Sequence, residues 1–249
     1  MSAALRDLPA QRRQTYAFLR DARSTCHVHL LADVDATALR RDREASGRRV
    51  SYVSYVVKTA AAAIAANADA RAVLRDGLRP RLATVDDVHA KVLFDKTVDG
   101  QRCVLSGSVE SAQRRDIADI QRIVDDHKKD EVTPDGPFAQ VRRLQRLPVP
   151  LGLLLYKTVL RDPRRRARLQ GVFSVTSVGH TPVRAILPMI AGTWGFGVGA
   201  ITDTPVVRDG EVVVRPVFTL SLTFDHRVVD GALAAELLAE VTHGLENWT

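Results

Sequence analysis

The residues of this chain best suited to chemistry stand together near its C-terminus, as Asp225-His226-Arg227-Val228-Val229-Asp230-Gly231. His226 is the histidine of this string, the side-chain type suited to take and return a proton in the physiological range. Asp225, Arg227 and Asp230 are near enough in sequence to orient the imidazole or to hold the loop that carries it. An apolar, β-compatible run at 217–224 precedes the string and an amphipathic helical pattern at 232–248 comes after it. A polar loop pinned between a strand and a helix can present a reactive side chain rigidly. Local chemistry alone still favours a surface role for a histidine in a charged loop, so the surrounding elements have to decide.

Those elements can be read along the chain. Pro9 sits where a first helical position would be, and 11–23 reads as an amphipathic helix ending near Ser24. The run 26–35 suggests a strand entering a helix capped by Asp35 or Thr37. Residues 51–67, rich in Ala, Val and Tyr, have the pattern of a helix buried between layers. Runs at 88–94 and 102–106 flank Asp99-Gly100, which marks a hairpin turn. Ser111 opens a long helix with Ile117, Ile120 and Val124 on one face, and Pro134 and Gly136 break the chain beyond it. Between 138 and 169, Pro148, Pro150 and Pro163 punctuate short packed helices dense in Leu and Arg. Strands are expected at 171–178, 184–190, 194–201 and 217–224, with Arg208-Asp209-Gly210-Glu211 as a tight turn. Without a regular βαβ alternation, this mixture predicts an α/β two-layer sandwich with a mixed, mostly antiparallel sheet, in a single domain spanning 1–249.

Composition narrows the function classes. A chain of 249 residues with 45% hydrophobic and 26% charged content is globular and able to bury a sizeable core. Its two cysteines, Cys26 and Cys103, form no CxxC, which argues against a disulfide framework or a zinc site and fits a reducing, cytoplasmic compartment. The N-terminus lacks an apolar targeting core, and the apolar stretches at 53–66 and 149–160 fall short of the roughly 18–20 residues of a membrane span. The net charge of +7 is concentrated at 142–146 and 161–168 and suits a phosphate-bearing ligand or a solvated surface. With 5% aromatic content and no nucleic-acid-binding signature, nucleic acid is not an expected partner.

The string Leu220-Ser-Leu-Thr-Phe-Asp-His-Arg-Val-Val-Asp-Gly-Ala232 closely resembles the C-terminal signature of the dihydrolipoyl acyltransferase core of 2-oxoacid dehydrogenase complexes, related in fold to chloramphenicol acetyltransferase. The HxxxDG pattern is shared across CoA-dependent acyltransferases and peptide-synthetase condensation domains; the longer DHRVVDGA string is far more specific. The resemblance covers roughly residues 10–248. It includes Arg12-Arg13, His27 to Asp35 with Ala36-Thr37-Ala38-Leu39, and Val56-Val57-Lys58-Thr59-Ala60-Ala61. Asp95-Lys-Thr-Val-Asp-Gly100, Phe173-Ser174-Val175-Thr176-Ser177-Val178-Gly179, and 197–201 through 205–210 continue it.

The resemblance implies that His226 takes a proton from an acceptor thiol or hydroxyl as it attacks an acyl thioester, and that Thr176 donates a hydrogen bond to the oxyanion, with Ser177 in reserve. It implies that Asp230 serves geometry, that Gly231 belongs to the substrate-facing motif, and that Arg12 or Arg13 pairs with Asp230. It further implies coenzyme A as a substrate, a lipoyl group or other acyl carrier on a separate protein, no metal, and a homotrimer with active sites between subunits. Against that family, no lipoyl or subunit-binding domain is expected ahead of the catalytic core and no short apolar cage-building tail after it, and the connection at 138–169 is longer than usual. A free-standing acyltransferase is therefore expected. The alternatives are an inactive scaffold with the same fold, or a small carrier-dependent condensing enzyme.

Overall fold

The computed structural model describes residues 5, 7–47, 49–133 and 136–249. Helix α1 (Ala10–Ala22) starts one residue after Pro9, whose φ of −54° and ψ of 141° make it the N-cap instead of the first helical residue. Strand β1 (His27–Asp35) turns into α2 (Thr37–Ala45), and the Asp35 carboxylate accepts the Thr37 N–H at 3.0 Å. The N-cap is Ala36, with no side-chain capping bond, so neither Asp35 nor Thr37 is the cap; Asp35 binds the first helical N–H from the residue before the cap. Helix α3 (Tyr52–Ala66) is capped by Ser51, whose Oγ accepts the Ser54 N–H. Its Tyr55, Val56, Val57, Ala60, Ala61 and Ile64 are fully buried, as an all-round apolar pattern requires.

A small separate sheet, β2 (Ala72–Arg75) with β3 (Arg81–Thr84), comes next, and then β4 (Ala90–Val98) and β5 (Gln101–Val109) pair antiparallel. Asp99 and Gly100 both have positive φ, 48° and 75°, the twist that a two-residue hairpin loop needs. Helix α4 (Ile117–Lys129) begins later than Ser111, which lies in the left-handed region at φ 49° and ψ 47° and cannot continue a helix. A single 3₁₀ turn intervenes, and Asp116 caps α4 by accepting the Asp119 N–H. Pro134, expected to break the chain here, lies outside the described residues. Three short helices come after it, α5 (Ala139–Gln145), α6 (Val149–Val159) and α7 (Pro163–Gln170).

The last third holds β6 (Phe173–Ser177), β7 (Trp194–Val198), β8 (Thr202–Arg208), β9 (Glu211–Asp225) and α8 (Gly231–Glu246). The main sheet has the order β1-β9-β7-β6-β4-β5, with β8 beside the first half of β9. Only β4/β6 and β6/β7 are parallel, so the sheet is mixed and mostly antiparallel. Phe218, Leu220, Leu222 and Phe224 of β9, together with Trp194 and Phe196 of β7, point into one core with α3, α4 and α8. This is the expected two-layer sandwich. Among the described residues, no helix is long and apolar enough to cross a membrane.

The expected strand at 184–190 does not form. That segment crosses over the second face of the sheet, and its Ile186 carbonyl accepts the Ser221 hydroxyl at 2.5 Å. Gly197 and Gly199 make the crossing possible, because a Cβ at either would collide with the Ile186 or the Arg184 carbonyl. Apolar alternation in 184–190 thus reflects packing on top of a sheet and not membership of it.

Candidate active site

The His226 loop is tied down at each end. Asp225, the last residue of β9, is held through its own N–H, which donates to the Thr193 carbonyl at 3.1 Å. The His226 N–H donates to the Cys26 carbonyl at 2.8 Å, and the Val228 and Val229 N–H groups return to the Asp225 carbonyl at 2.9 and 3.2 Å. Asp230 is the N-cap residue of α8, and its carbonyl accepts the Ala234 N–H at 3.1 Å.

The charged neighbours divide into two roles that sequence spacing left open. Asp225 is buried, and its carboxylate accepts the Arg227 Nε at 2.9 Å and Nη2 at 2.7 Å. Arg227 Nη1 also donates to Asp76, in the β2–β3 turn, at 3.1 Å. The Asp225 carboxylate raises the Arg227 guanidinium pKa above its ordinary value. These two residues therefore lock the loop. The largely exposed Asp230 carboxylate approaches the imidazole, with Oδ1 4.0 Å from His226 Nδ1, beyond hydrogen-bond distance. The His226 side chain is 45% exposed and borders the Phe224 ring at 5.5 Å.

Thr176 lies on β6 opposite Gly197 of β7, which in turn faces Ser221 of β9. His226 is five residues beyond Ser221 along β9. At about 3.3 Å per residue and 4.8 Å per strand, the two side chains are separated by roughly 16 Å along the sheet and 10 Å across it. One chain therefore holds His226 and Thr176 about 19 Å apart, too far to act on one carbonyl. Ser177, the reserve hydroxyl, accepts the Gly179 N–H at 3.2 Å in the turn after β6. Gly231 opens α8 with nothing near the place where a Cβ would stand, which leaves its backbone approachable. Arg13 Nη1 donates to the Leu147 carbonyl at 3.2 Å, and among the described residues neither Arg12 nor Arg13 pairs with Asp230 within the chain.

Two histidines beside the loop escaped the sequence reading. His27 and His29 project from the same face of β1, their rings nearly parallel at 6.4 Å between centroids. His27 Nε2 accepts the Ile190 N–H at 3.0 Å, and His29 Nδ1 lies 2.8 Å from the Thr223 hydroxyl. Burial, followed by the nearby His27, lowers the His29 pKa. The period-two spacing in Cys26-His27-Val28-His29 was the available signal, and Asp76 offered none.

Against known proteins, the family model described as 2-oxoacid dehydrogenases acyltransferase (catalytic domain) matches residues 166–249. The chain is 26% identical over 237 residues to the dihydrolipoyllysine-residue acetyltransferase component of the pyruvate dehydrogenase complex of Bacillus subtilis (strain 168), a match covering 90% of this chain. The chain is similar to the 2-oxoacid dehydrogenase acyltransferases. It spans 46% of the length of that Bacillus relative. Among solved structures, one of Azotobacter vinelandii dihydrolipoamide acetyltransferase, whose subject is the catalytic role of a serine, a histidine and an asparagine, superposes with a TM-score of 0.70 at 20% identity, covering 98% of this chain and 93% of the other. A chloramphenicol acetyltransferase superposes with a TM-score of 0.50 at 14% identity, covering 99% of both chains. The family and fold resemblance read from the DHRVVDGA string and its flanking segments is thereby borne out.

Proposed function

We propose that the chain is an acyltransferase that moves an acyl group between a thioester donor, acyl-CoA or an acylated lipoyl or other carrier, and a thiol or hydroxyl acceptor. His226 takes the acceptor's proton as the acceptor sulfur or oxygen attacks the thioester carbonyl. The tetrahedral oxyanion receives a hydrogen bond from the Thr176 hydroxyl. When the intermediate collapses, the carbon–sulfur bond breaks and His226 returns the proton to the departing thiolate. Asp230 orients the ring through Nδ1, which leaves Nε2 to face the acceptor. Coenzyme A is a substrate in this scheme, and no metal takes part. A cytoplasmic setting, where an acceptor thiol stays reduced, goes with it.

The working unit is a homotrimer in which the His226 loop of one subunit meets the Thr176 strand of the next. The observation that carries this reading is the pairing of a rigidly anchored, half-exposed imidazole with a hydroxyl about 19 Å away in the same chain. A histidine and an asparagine four positions apart, singled out in the Azotobacter enzyme, occupy the spacing of His226 and Asp230. The test is mass spectrometry of the purified protein incubated with a panel of acyl-CoAs and reduced lipoamide. Acyl transfer is expected, and His226→Ala is expected to lower its rate by about a hundredfold or more. Transfer that is indifferent to His226→Ala would remove the imidazole from the mechanism.

A further inference from the structure

Helices α5, α6 and α7 have no part in the chemistry above, yet with α1 they roof the face of β4, β5 and β6 that α3 and α4 leave open. Beneath them is a cavity of about 530 Å³, within the roughly 300–1,000 Å³ typical of small-molecule sites. Leu93, Ser106 and Ser174 line its floor, and Leu144, Leu155 and Val159 line its roof.

Helix α6 is apolar on nearly every side, but none of its residues is buried, and Leu154 is 60% exposed. A helix of this composition is normally enclosed by other side chains. Here one face looks into the cavity instead. Slack packing does not account for it, because the roof is fastened at several points. Arg166 of α7 pairs with Asp21 of α1 at 2.8 Å, and Gln145 Nε2 of α5 donates to the Gln11 carbonyl of α1 at 3.2 Å. The wall's polar groups include Lys91, whose ammonium donates to Ser108 at 2.6 Å, and Tyr156, whose hydroxyl accepts the Gln170 amide at 2.6 Å.

We propose that this cavity receives the hydrocarbon chain of an acyl group considerably longer than acetyl. The inference rests on the acyl-transfer reading. Ser174 and Thr176 project from the same face of β6, two residues and about 6.6 Å apart. Ser174 lines the cavity and Thr176 does not, so a thioester carbonyl held at Thr176 reaches the cavity with a chain that turns past Ser174 and under α6. Each methylene buried there strengthens binding by about fourfold, so a chain of several carbons is strongly selected over acetyl.

The experiment compares acetyl-, octanoyl- and palmitoyl-CoA as donors to reduced lipoamide, and measures the binding of each by calorimetry, with the full chain. Octanoyl-CoA, with six more methylenes than acetyl-CoA, is expected to exceed it in kcat/KM by on the order of a thousandfold. Ser106→Trp, filling the floor, and Val159→Trp, filling the roof, are expected to abolish that preference while acetyl transfer persists. Using two separate variants keeps the test valid if one of them fails to fold. If acetyl-CoA matches or surpasses the longer donors in both rate and binding, the cavity proposal falls and the transferase reading stands. If octanoyl-CoA binds tightly and Ser106→Trp weakens it, yet no donor is turned over, the cavity assignment stands as a binding site and the transferase reading falls.

Discussion

A site shared between chains makes a numerical prediction about mixtures of defective chains. Let one chain carry His226→Ala and another Thr176→Val. Alone, the first loses proton transfer, about a hundredfold or more, and the second loses the oxyanion donor, about 10²–10³-fold. In a closed ring assembled at random from equal amounts, each site draws its imidazole from one chain and its hydroxyl from the next. The chance that both are intact is one half multiplied by one half, so about a quarter of the sites are whole. Co-expression with two different tags and purification through both removes the two homotrimers, and every mixed trimer keeps one whole site of three, so the purified mixture is expected to run at about a third of the wild-type rate. A site confined to one chain gives a very different figure. Every chain then carries one lesion, and no mixture can exceed the better of the two parents, at about one per cent. The register of β6, β7 and β9, which separates the two residues by about 19 Å in one chain, makes the first outcome the expected one. Verified mixed oligomers that stay near one per cent would refute a site assembled between chains.

Other perturbations test the scaffold around the site. Arg227→Ala leaves the buried Asp225 carboxylate without its guanidinium and is expected to cost about 3–5 kcal/mol in denaturant unfolding. Arg227→Lys is expected to recover little of it, because an ammonium cannot make the forked contact. Gly197→Ala drives a methyl group into the Ile186 carbonyl and the Ser221 hydroxyl, and is expected to lower stability by about 1–3 kcal/mol, read as a fall in melting temperature. Burial pushes the Lys91 pKa down to about 8 from its usual 10.5, so the unfolded chain binds more protons than the folded one between those values. Stability contributed at this position therefore rises as pH increases from about 8 to 10.5. Lys91→Met is expected to stabilise the protein by up to about 3 kcal/mol at pH 7 and to remove that rise, as judged from melting curves across the alkaline range.

Elements set by local chemistry were legible from the residues. Asp99-Gly100 and Asp209-Gly210 announce hairpins because both positions of each pair need positive φ, and both have it. The all-round apolar run of α3 could only be a buried helix, and the loop carrying His226 lies between the strand and the helix that flanked it in the sequence reading. The features that escaped depend on contacts made across space. The segment at 184–190 has the alternation of a strand, but Gly197 and Gly199 let it lie on the sheet instead of joining it. The β2–β3 hairpin is short and studded with arginine and aspartate, so no apolar period reveals it, and Asp76 reaches Arg227 only after that hairpin folds. The separation of His226 from Thr176 depends on strand order, which no local pattern encodes.

The basic surplus can serve as internal struts or as a rim for a phosphate-bearing donor, and salt distinguishes the two. Several arginines of the dense clusters are already committed within the chain. Arg166 pairs with Asp21, Arg168 with Glu110 and Arg165 with Asp162, at 2.8, 3.1 and 3.8 Å. Among the described residues, Arg143, Arg146, Arg161 and Arg164 form no such ion pair, and Arg143 borders the cavity under α5 and α6. Free charges of this kind act over a Debye length of about 8 Å at 0.15 M salt and about 3 Å at 1 M. If they steer an acyl-CoA to the site, its KM rises with ionic strength while kcat holds, because encounter is screened and chemistry is not. Replacing Arg143 and Arg146 together by Ala should then raise KM at low salt and flatten the slope. A KM independent of salt in the unmodified protein would rule out steering, leaving Arg166 and Arg168 as struts to α1 and to the end of β5 and the unpaired arginines as a solvated surface.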